Sequence, residues 1–475
     1  MPADRHLEAR LGLLDATALV AGSMIGSGIF IVSADIARRL PAAGWLLAVW
    51  AATGLLTVAA AASYGRLAAA MPRAGGQYAY LVELWGPVWG FLFGWTLVLV
   101  IQTGTIAAVA VAFATFAGIL WPALSPAASL VALGPLVVTP VQACAVAVVL
   151  GLTALNARGL EAGRTVQNVF TVAKVGALAA VVALGLALGD PAARVANLAR
   201  PFATGLGAGA TLMQFGAAMV GSLFAADAWA NVTFAASEVR DPRRTVPRAL
   251  VLGTALVCLL YLATNVAYLN VLPLAGVPDG SDAFARGIAH ASGDRVGAAV
   301  MDRLAGSARG GVLIAVAVMV STFGCANGLV LAGARVAWAM ARDGRFFAVA
   351  GRLNARNVPG AALWLQGAWA SVLALSGRYG DLLDYVIVAE LLFYLLTVGG
   401  LFRLAARTGE RPRDGGYPWL PAGYLAAVGA LVVDLLVTKP AYTWGSVAVV
   451  ASGVPFWLLR RPAPAVDAPA GRRVG

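Results

Sequence analysis

The stretch Gly22–Phe30, GSMIGSGIF, places three glycines and two serines in the middle of an apolar segment that runs from Leu13 to about Ala37. The segment is long enough to cross a membrane, but its centre favours an interrupted helix. Within a bilayer an unpaired backbone group costs several kcal/mol, so an open helix persists only where it lines a cavity or holds a ligand. The break offers carbonyls from its first half and N–H groups from its second, which together suit a zwitterion. The alternative is that Gly22 and Gly26 form a small-residue face for close helix packing.

Composition assigns the class of protein. Hydrophobic residues occupy 60% of the 475 positions, charged residues occupy 12%, and the mean hydropathy is +0.81. These values exclude a water-soluble domain and are typical of an all-α membrane protein with many spans. Apolar stretches of roughly 18 residues or more predict twelve membrane-spanning helices. We number them spans 1 to 12, near residues 13–37, 44–70, 88–119, 139–156, 165–188, 209–236, 248–271, 311–341, 361–377, 382–404, 418–437 and 442–459.

The distribution of basic residues predicts the orientation. With a cytoplasmic N-terminus, 23 of the 34 lysines and arginines fall in cytoplasmic segments, ten fall outside, and one, Lys174, falls within a span. The positive-inside rule therefore favours a cytoplasmic N-terminus at 1–12 and a cytoplasmic tail at 460–475. The net charge of +12 is explained by this topology, and no nucleic-acid partner is implied. We expect the protein in the cell (inner) membrane, in contact with the lipid bilayer.

The three cysteines provide no framework for a disulfide or a metal. Cys144, Cys258 and Cys325 all fall within predicted spans, and none lies in a predicted outer loop. No metal site and no cofactor are predicted. The longest outer segment, 273–309, mixes proline, glycine and charge with short apolar runs, which is typical of short helices lying over a site.

A second irregular stretch lies in span 6, where SLFAADAWANVTF places Asp227 near the centre, followed by Asn231 and Thr233. Paired interruptions in corresponding helices indicate a transporter site between two repeats. We therefore expect a first five-helix repeat at 13–188, broken at 22–30, and a second at 209–404, broken near 224–231. Spans 11 and 12, residues 418–459, follow the repeats.

Five stretches carry a resemblance to a known family. They are LVAGSMIGSGIFIVSADIARRL, MPRAGGQYAYL, NVFTVAKVGAL, LFAADAWANVTFAASEVRDPRRTVPRAL and NGLVLAGARVAWAMARDG, in this order along the chain. They resemble the amino acid–polyamine–organocation superfamily of permeases, most closely its bacterial L-type amino acid transporter branch. The resemblance implies the leucine-transporter-like fold, with two inverted five-helix repeats, two additional helices, and the substrate held between spans 1 and 6.

The resemblance also implies the substrate-binding residues, which are Met24, Gly26, Ser27, Gly28, Phe224 and Asp227. The substrate carboxylate would lie on the N–H groups of Ser27 and Gly28, with Gly26 allowing close approach. The α-amine would meet the carbonyls of Met24, Phe224 and Asp227. Phe224 would also close over the site as a gate, although it could instead serve only as core packing.

The chain departs from the family pattern directly after Phe224. The family usually has tyrosine and glycine where this chain has Ala226 and Ala228. Without that glycine, the sequence alone leaves open whether span 6 unwinds at this point.

Lys174 is one of only two lysines in the chain. It lies ten residues beyond Arg164, so its Cα is roughly 15 Å into span 5, which is beyond the reach of ordinary snorkelling. A buried amine is expected to be functional. The resemblance implies that its ammonium takes the place of a sodium ion found in sodium-coupled relatives. It would then either carry a proton or act as a fixed charge that braces span 1.

Three acidic side chains within or near the spans are each open to more than one interpretation. Asp227 could face the α-amine through its side chain or only through its carbonyl. Glu390, in span 10, could pair with a cation, carry a proton, or make a structural hydrogen bond. Glu238, at the cytoplasmic end of span 6, could belong to an inner gate or to a solvated loop.

These features favour a sodium-independent permease or exchanger of neutral L-amino acids that works by alternating access. The alternative within transporters is an antiporter of polyamines or cationic amino acids, for which Asp227 and Glu390 are the deep acidic candidates. An enzyme is disfavoured because no histidine lies at membrane depth and no nucleophile, base and oxyanion set is present. A channel is disfavoured by the two interrupted helices. We expect a monomer or weak dimer, without a disulfide-linked heavy chain.

Overall fold

The computed structural model describes residues 7–124, 129–133, 136–376, 379–409 and 416–459. Most of these residues are helical, and the only strands among them are a short antiparallel pair, β1 (Val131–Leu133) and β2 (Leu136–Val138). The all-helical membrane architecture expected from composition is therefore confirmed. The predicted tail at 460–475 and the first six residues lie outside the described part of the chain.

The α-helices are numbered in chain order. The first nine are α1 (Leu13–Met24), α2 (Gly28–Arg39), α3 (Ala43–Ala70), α4 (Gln77–Trp85), α5 (Pro87–Thr96), α6 (Gln102–Leu120), α7 (Pro140–Ala157), α8 (Leu160–Ala187) and α9 (Pro191–Ala199). The others are α10 (Ala208–Ala225), α11 (Asn231–Phe234), α12 (Pro242–Val271), α13 (Ala283–Arg286), α14 (Val296–Ala305), α15 (Ser307–Arg342), α16 (Gly360–Ser376), α17 (Tyr379–Thr408), α18 (Trp419–Thr438) and α19 (Pro440–Leu459).

The long apolar helices agree with the predicted spans. Within the described ranges, ten helical segments are long and apolar enough to cross a membrane, and the bent pair α1 and α2 makes an eleventh if it is one span. Helix α16 corresponds to predicted span 9, but its 17 residues fall just short of that length. The protein crosses the membrane many times, while the exact number of twelve spans remains a prediction.

Span 6, expected at 209–236 with a break near 224–231, is interrupted in the structure. Its helix, α10, ends at Ala225, and only the four-residue α11 and a 3-10 turn at Ala236–Glu238 follow before α12. Hydropathy could not locate this end because the residues on both sides of Asp227 are apolar.

Packing brings the two interrupted segments together. Helix α1 packs against α8, α12 and α15, whereas α2 packs against α10 and α14. The bend of 42° between α1 and α2 thus directs the two halves of span 1 towards different neighbours. Short outer helices, expected between 273 and 309, are present as α13 and α14.

Candidate functional site

The first break lies where the sequence predicted it. Helix α1 ends at Met24, Ile25 adopts an extended conformation, and α2 begins at Gly28 after Ser27. The last carbonyls of α1 and the first N–H groups of α2 have no partners within their own helices. The break therefore presents partial charges of both signs at one place.

Lys174, on α8, donates hydrogen bonds to backbone carbonyls at this break. Its Nζ atom donates hydrogen bonds to the carbonyls of Gly22, of Ile25 at 2.8 Å and of Ser321 at 3.2 Å. The side chain is almost completely buried, with 1% of its surface exposed. Three acceptors match the three protons of an ammonium group, so the geometry fits a charged lysine tying α1 to α15.

Two side chains from α15 also donate to carbonyls at the break. The Ser321 hydroxyl lies 3.1 Å from the carbonyl of Ile25 and 3.0 Å from that of Gly26, and Cys325 Sγ donates to Ser23 at 2.9 Å. These contacts hold the open backbone of span 1 in place. In hydrocarbon, an open backbone of this kind needs such partners.

Tyr261, on α12, connects the two breaks. Its hydroxyl lies 3.0 Å from the carbonyl of Met24 at the end of α1 and 3.2 Å from the carbonyl of Ala225 at the end of α10. The residue is buried, with 1% of its surface exposed. One buried hydroxyl thus lies between the ends of both interrupted helices and can donate to either carbonyl.

The second break forms even though the glycine usual in the family is absent. Residues 226–230 are not helical, and Ala228 has φ of 65°, in the left-handed region. This conformation costs a residue with a Cβ roughly 1–2 kcal/mol. Tertiary contacts therefore impose the unwinding, since the local sequence does not favour it.

A small cavity lies between the two breaks, with a volume of about 20 Å³. Its lining contains all six predicted substrate-binding residues, together with Ser23, Thr105, Val109, Ala225, Ala228 and Cys325. Ligand pockets usually measure ~300–1,000 Å³, whereas this cavity holds about one water molecule. The structure is therefore closed around the candidate site, and an amino acid enters only if the surrounding helices move apart.

The glycines of the break have different neighbours. A Cβ at Gly28 would lie 2.5 Å from the Cβ of Ala225, so this glycine permits the close contact of α2 with α10. A Cβ at Gly26 would meet only Cys325 Sγ, at 3.4 Å, and would otherwise face the cavity. Gly22 packs on α8, where a Cβ would collide with Gln167 and Thr171. The packing interpretation thus holds for Gly22.

Asp227 and Glu390 form an acidic pair beside the cavity. The hydroxyl of Tyr394 lies 2.8 Å from Asp227 Oδ1 and 2.7 Å from Glu390 Oε1. Asp227 lines the cavity, whereas Glu390 lies behind it on α17. Both side chains are buried. The structure therefore brings together the two deep acidic residues that the sequence singled out separately.

Glu238, in the 3-10 turn that follows α11, pairs with Arg335. The Arg335 guanidinium donates to both carboxylate oxygens, at 2.7 and 3.0 Å, and each side chain is 1% exposed. Arg335 also donates to the carbonyl of Leu331 on α15. The buried pair fixes the segment after α11 to α15, and Glu238 is not part of a solvated loop.

The N-terminal segment closes over the same region through its backbone. The N–H groups of Arg10 and Leu11 both lie 2.8 Å from the carbonyl of Glu238, and Arg240 donates to the carbonyl of Leu11 at 2.8 Å. Leu11 and Val239 form an isolated parallel bridge. The start of the chain is therefore paired with the end of span 6.

Exposed side chains near the start of the chain reinforce this contact. Glu8 accepts hydrogen bonds from Arg10 and, at 2.6 Å, from Asn357 in the loop before α16. These two hydrogen bonds hold the pKa of Glu8 below its usual value. The pair is exposed to solvent, so it orients the segment but adds little stability.

Several residues of the site escaped the sequence analysis. They are Tyr261, Ser321, Cys325, Tyr394 and Arg335, and each lies in the middle of a helix among apolar neighbours. Arg335 alone carries a signal in the sequence, because an arginine inside a long apolar helix is unusual. The roles of the other four depend on helix packing, which a single sequence does not specify.

Known proteins that resemble the chain are amino acid carriers. Residues 11–456 match the amino acid permease family. The b(0,+)-type amino acid transporter 1 of Mus musculus is 28% identical over 95% of this chain and 88% of its own length. The serine/threonine exchanger SteT of Bacillus subtilis (strain 168) is 27% identical over 96% of this chain and 97% of its own. The large neutral amino acids transporter small subunit 2 of Homo sapiens is 28% identical over 95% of this chain and 80% of its own length.

Proposed function

The chain belongs to the amino acid permease family, and from this premise we propose that it is a sodium-independent exchanger of neutral L-amino acids. One observation carries the proposal. The cavity lies between two interrupted helices, with carbonyls of α1 and N–H groups of α2 at its wall. This arrangement matches the two charges of a zwitterion.

The proposed binding mode follows from the charges at the break. The substrate carboxylate lies at the N-terminus of α2, on the N–H groups of Ser27 and Gly28, where the helix dipole favours negative charge. Gly26 gives the carboxylate room, since a side chain there would enter the cavity. Phe224, which lines the cavity and is 8% exposed, closes over the substrate.

The α-amine shares carbonyls that already have partners in the closed state. Met24 accepts from Tyr261, and the Phe224 carbonyl accepts from the Asp227 N–H at 3.2 Å. A carbonyl oxygen has two lone pairs and so can accept a second hydrogen bond. The carbonyl and carboxylate of Asp227 complete the proposed amine site.

Sodium independence is proposed from the position of Lys174. Its ammonium occupies carbonyl groups of α1 and α15 that could otherwise coordinate a cation. Two unit charges 4 Å apart repel by about 4 kcal/mol at an effective dielectric constant of 20. A sodium ion and the Lys174 ammonium therefore do not share the site.

The proposed cycle alternates between openings on the two sides of the cavity. The cytoplasmic side is closed by the Glu238–Arg335 pair and by the bridge between Leu11 and Val239. When the cavity opens to the cytoplasm, the ion pair and the backbone bridge both separate. The exchanger named SteT supports exchange in preference to uniport, and the family supports the two inverted repeats at 13–188 and 209–404.

The cellular setting is proposed on similar grounds. The bacterial relative supports the inner membrane, and the distribution of arginine supports cytoplasmic termini. Cys144, Cys258 and Cys325 lie within α7, α12 and α15, so none is placed for a disulfide with a partner outside the membrane. We therefore propose a monomer or weak dimer, without a disulfide-linked heavy chain.

Counterflow in proteoliposomes tests the proposal. Vesicles loaded with one unlabelled amino acid should accumulate a labelled one from outside, equally in sodium, potassium and choline buffers. Neutral L-amino acids should compete for this uptake, and amines without a carboxylate should not. Uptake that requires sodium, or that no amino acid on the inside accelerates, would contradict the mechanism.

A second candidate substrate class is favoured by the acidic pair. Asp227 and Glu390 lie on one side of the cavity, where they could bind a cationic side chain. Competition for uptake into the same vesicles by arginine, ornithine, putrescine and agmatine distinguishes the cationic substrate class from the neutral one. Stronger competition by these compounds than by every neutral amino acid would replace the neutral assignment with a cationic one.

A further inference from the structure

In the Asp227–Tyr394–Glu390 cluster, the tyrosine hydroxyl contacts two carboxyl groups but has only one proton to donate. We propose that this cluster is a proton-binding site, and that its proton is released when an amino acid occupies the cavity. The inference rests on the proposed function, because the amino acid is what displaces the proton.

The hydrogen-bond count places a proton on the carboxyl pair. Tyr394 Oη lies within hydrogen-bonding distance of both Asp227 Oδ1 and Glu390 Oε1. A phenol has a single proton and donates fully along only one of these contacts. The other short contact is satisfied if a carboxylic acid donates its own proton to Oη. One shared proton therefore completes the network.

Burial supports the same assignment. Asp227 is 7% exposed and Glu390 is 5% exposed, and Glu390 Oε2 has no hydrogen-bond partner. Throughout the described residues, neither carboxyl group lies within ion-pair distance of a lysine or an arginine. Two adjacent carboxylates carry two negative charges, which are unfavourable in a buried site without a counter-ion. Binding of one proton removes one of the two charges.

Among the residues that the structure describes, no cationic group lies against the pair to compensate the charge. The titratable groups that face the pair are Tyr394 on α17 itself, Tyr64 on α3, Tyr424 on α18 and, towards Asp227, Cys325 on α15, and none of them carries a positive charge. Lys174 lies across the cavity, beyond Cys325, and donates to three carbonyls. Its protons are engaged, so the carboxyl pair is the better place for an exchangeable proton.

The position of Asp227 links the proton to the substrate. Asp227 lines the cavity, and an incoming α-ammonium brings one positive charge to it. The pair then changes from one negative charge to two, the ammonium compensates the additional charge, and the proton leaves to water. Charge and protons balance without any other reactant, and substrate and proton compete for the same carboxylates.

Binding measurements on the purified full chain test this competition. Affinity for a neutral L-amino acid should rise by up to about tenfold per pH unit while one proton is released. Titration calorimetry in two buffers of different ionisation enthalpy should count that proton. In Glu390→Gln, affinity should vary less than twofold with pH, and no proton should be released. Ser371→Ala, a buried polar change on α16, serves as the matched control and should keep the wild-type response.

A second measurement is independent of the substrate. Infrared difference spectra between wild type and Glu390→Gln should show the carbonyl stretch of a buried carboxylic acid at neutral pH. If Glu390→Gln does not fold, the same band should shift in Tyr394→Phe, which removes the hydroxyl partner. The absence of the band, or an amino acid affinity independent of pH in the wild type, overturns the inference. If no amino acid binds but the band is present, the proposed function fails and the proton site stands.

Discussion

Lys174 donates a hydrogen bond to the carbonyl of Ile25 at 2.8 Å, in the centre of the break in span 1. Because this ammonium satisfies carbonyls on both α1 and α15, Lys174→Ala should leave the first break without its tether. We expect turnover in proteoliposomes to fall at least tenfold, with a smaller change in substrate affinity. Lys174→Arg should rescue poorly, since a planar guanidinium does not match three carbonyls arranged around an ammonium. Full activity in Lys174→Ala would contradict this role.

Gly26 and Gly28 should respond differently to the addition of one methyl group. Gly26→Ala places the methyl in the cavity with only an ordinary contact to Cys325, so the protein should fold normally and bind amino acids more weakly. Gly28→Ala forces α2 away from Ala225 and should lower thermal stability, because overpacking costs about 1–3 kcal/mol. Gly151→Ala, which meets no atom within 4 Å, is the control. Equal effects of the first two changes on stability would argue against a separate binding role for Gly26.

Ala228→Gly should stabilise the protein, because glycine adopts the left-handed conformation without a steric penalty. After the greater flexibility of glycine in the unfolded chain is subtracted, we expect a gain of about 0.5–1 kcal/mol. The matched control is Ala226→Gly, where φ is −93° and glycine offers no relief. Thermal unfolding in detergent should rank Ala228→Gly above wild type and Ala226→Gly below it. The reverse order would contradict the strain at Ala228.

Breaking the Glu238–Arg335 pair should open the cytoplasmic side. Removing one partner leaves a buried charge uncompensated, at a cost of about 3–5 kcal/mol. In a chain with Cys144→Ala and Cys258→Ala, Arg335→Met should speed labelling of Cys325, which lines the cavity, by a thiol reagent added from the cytoplasmic side. The double change Glu238→Gln with Arg335→Met should restore part of the protection, since no lone charge remains. Unchanged labelling in Arg335→Met would exclude a gating role for the pair.

The sequence predicted the features that composition or rarity makes visible. Hydropathy located the long helices, and Lys174 was conspicuous because nearly every other basic residue is arginine. The sequence predicted a break near 224–231 but left open whether span 6 unwinds there, because Ala226 and Ala228 do not signal a break. The structure shows that Tyr261, on α12 and 36 residues along the chain, lies 3.2 Å from the carbonyl of Ala225 there. Contacts of this kind join residues far apart in the chain, so local patterns do not predict them.

The bridge between Leu11 and Val239 also has a practical consequence for handling the protein. In the proposed cycle, this main-chain contact separates each time the carrier faces the cytoplasm. A purification tag or fluorescent fusion joined before Leu11 would add drag and steric bulk to a part that moves at every turnover. Such a tag is therefore better placed after Leu459, because kinetics recorded from an amino-terminal fusion would report on the tag as well as on the carrier.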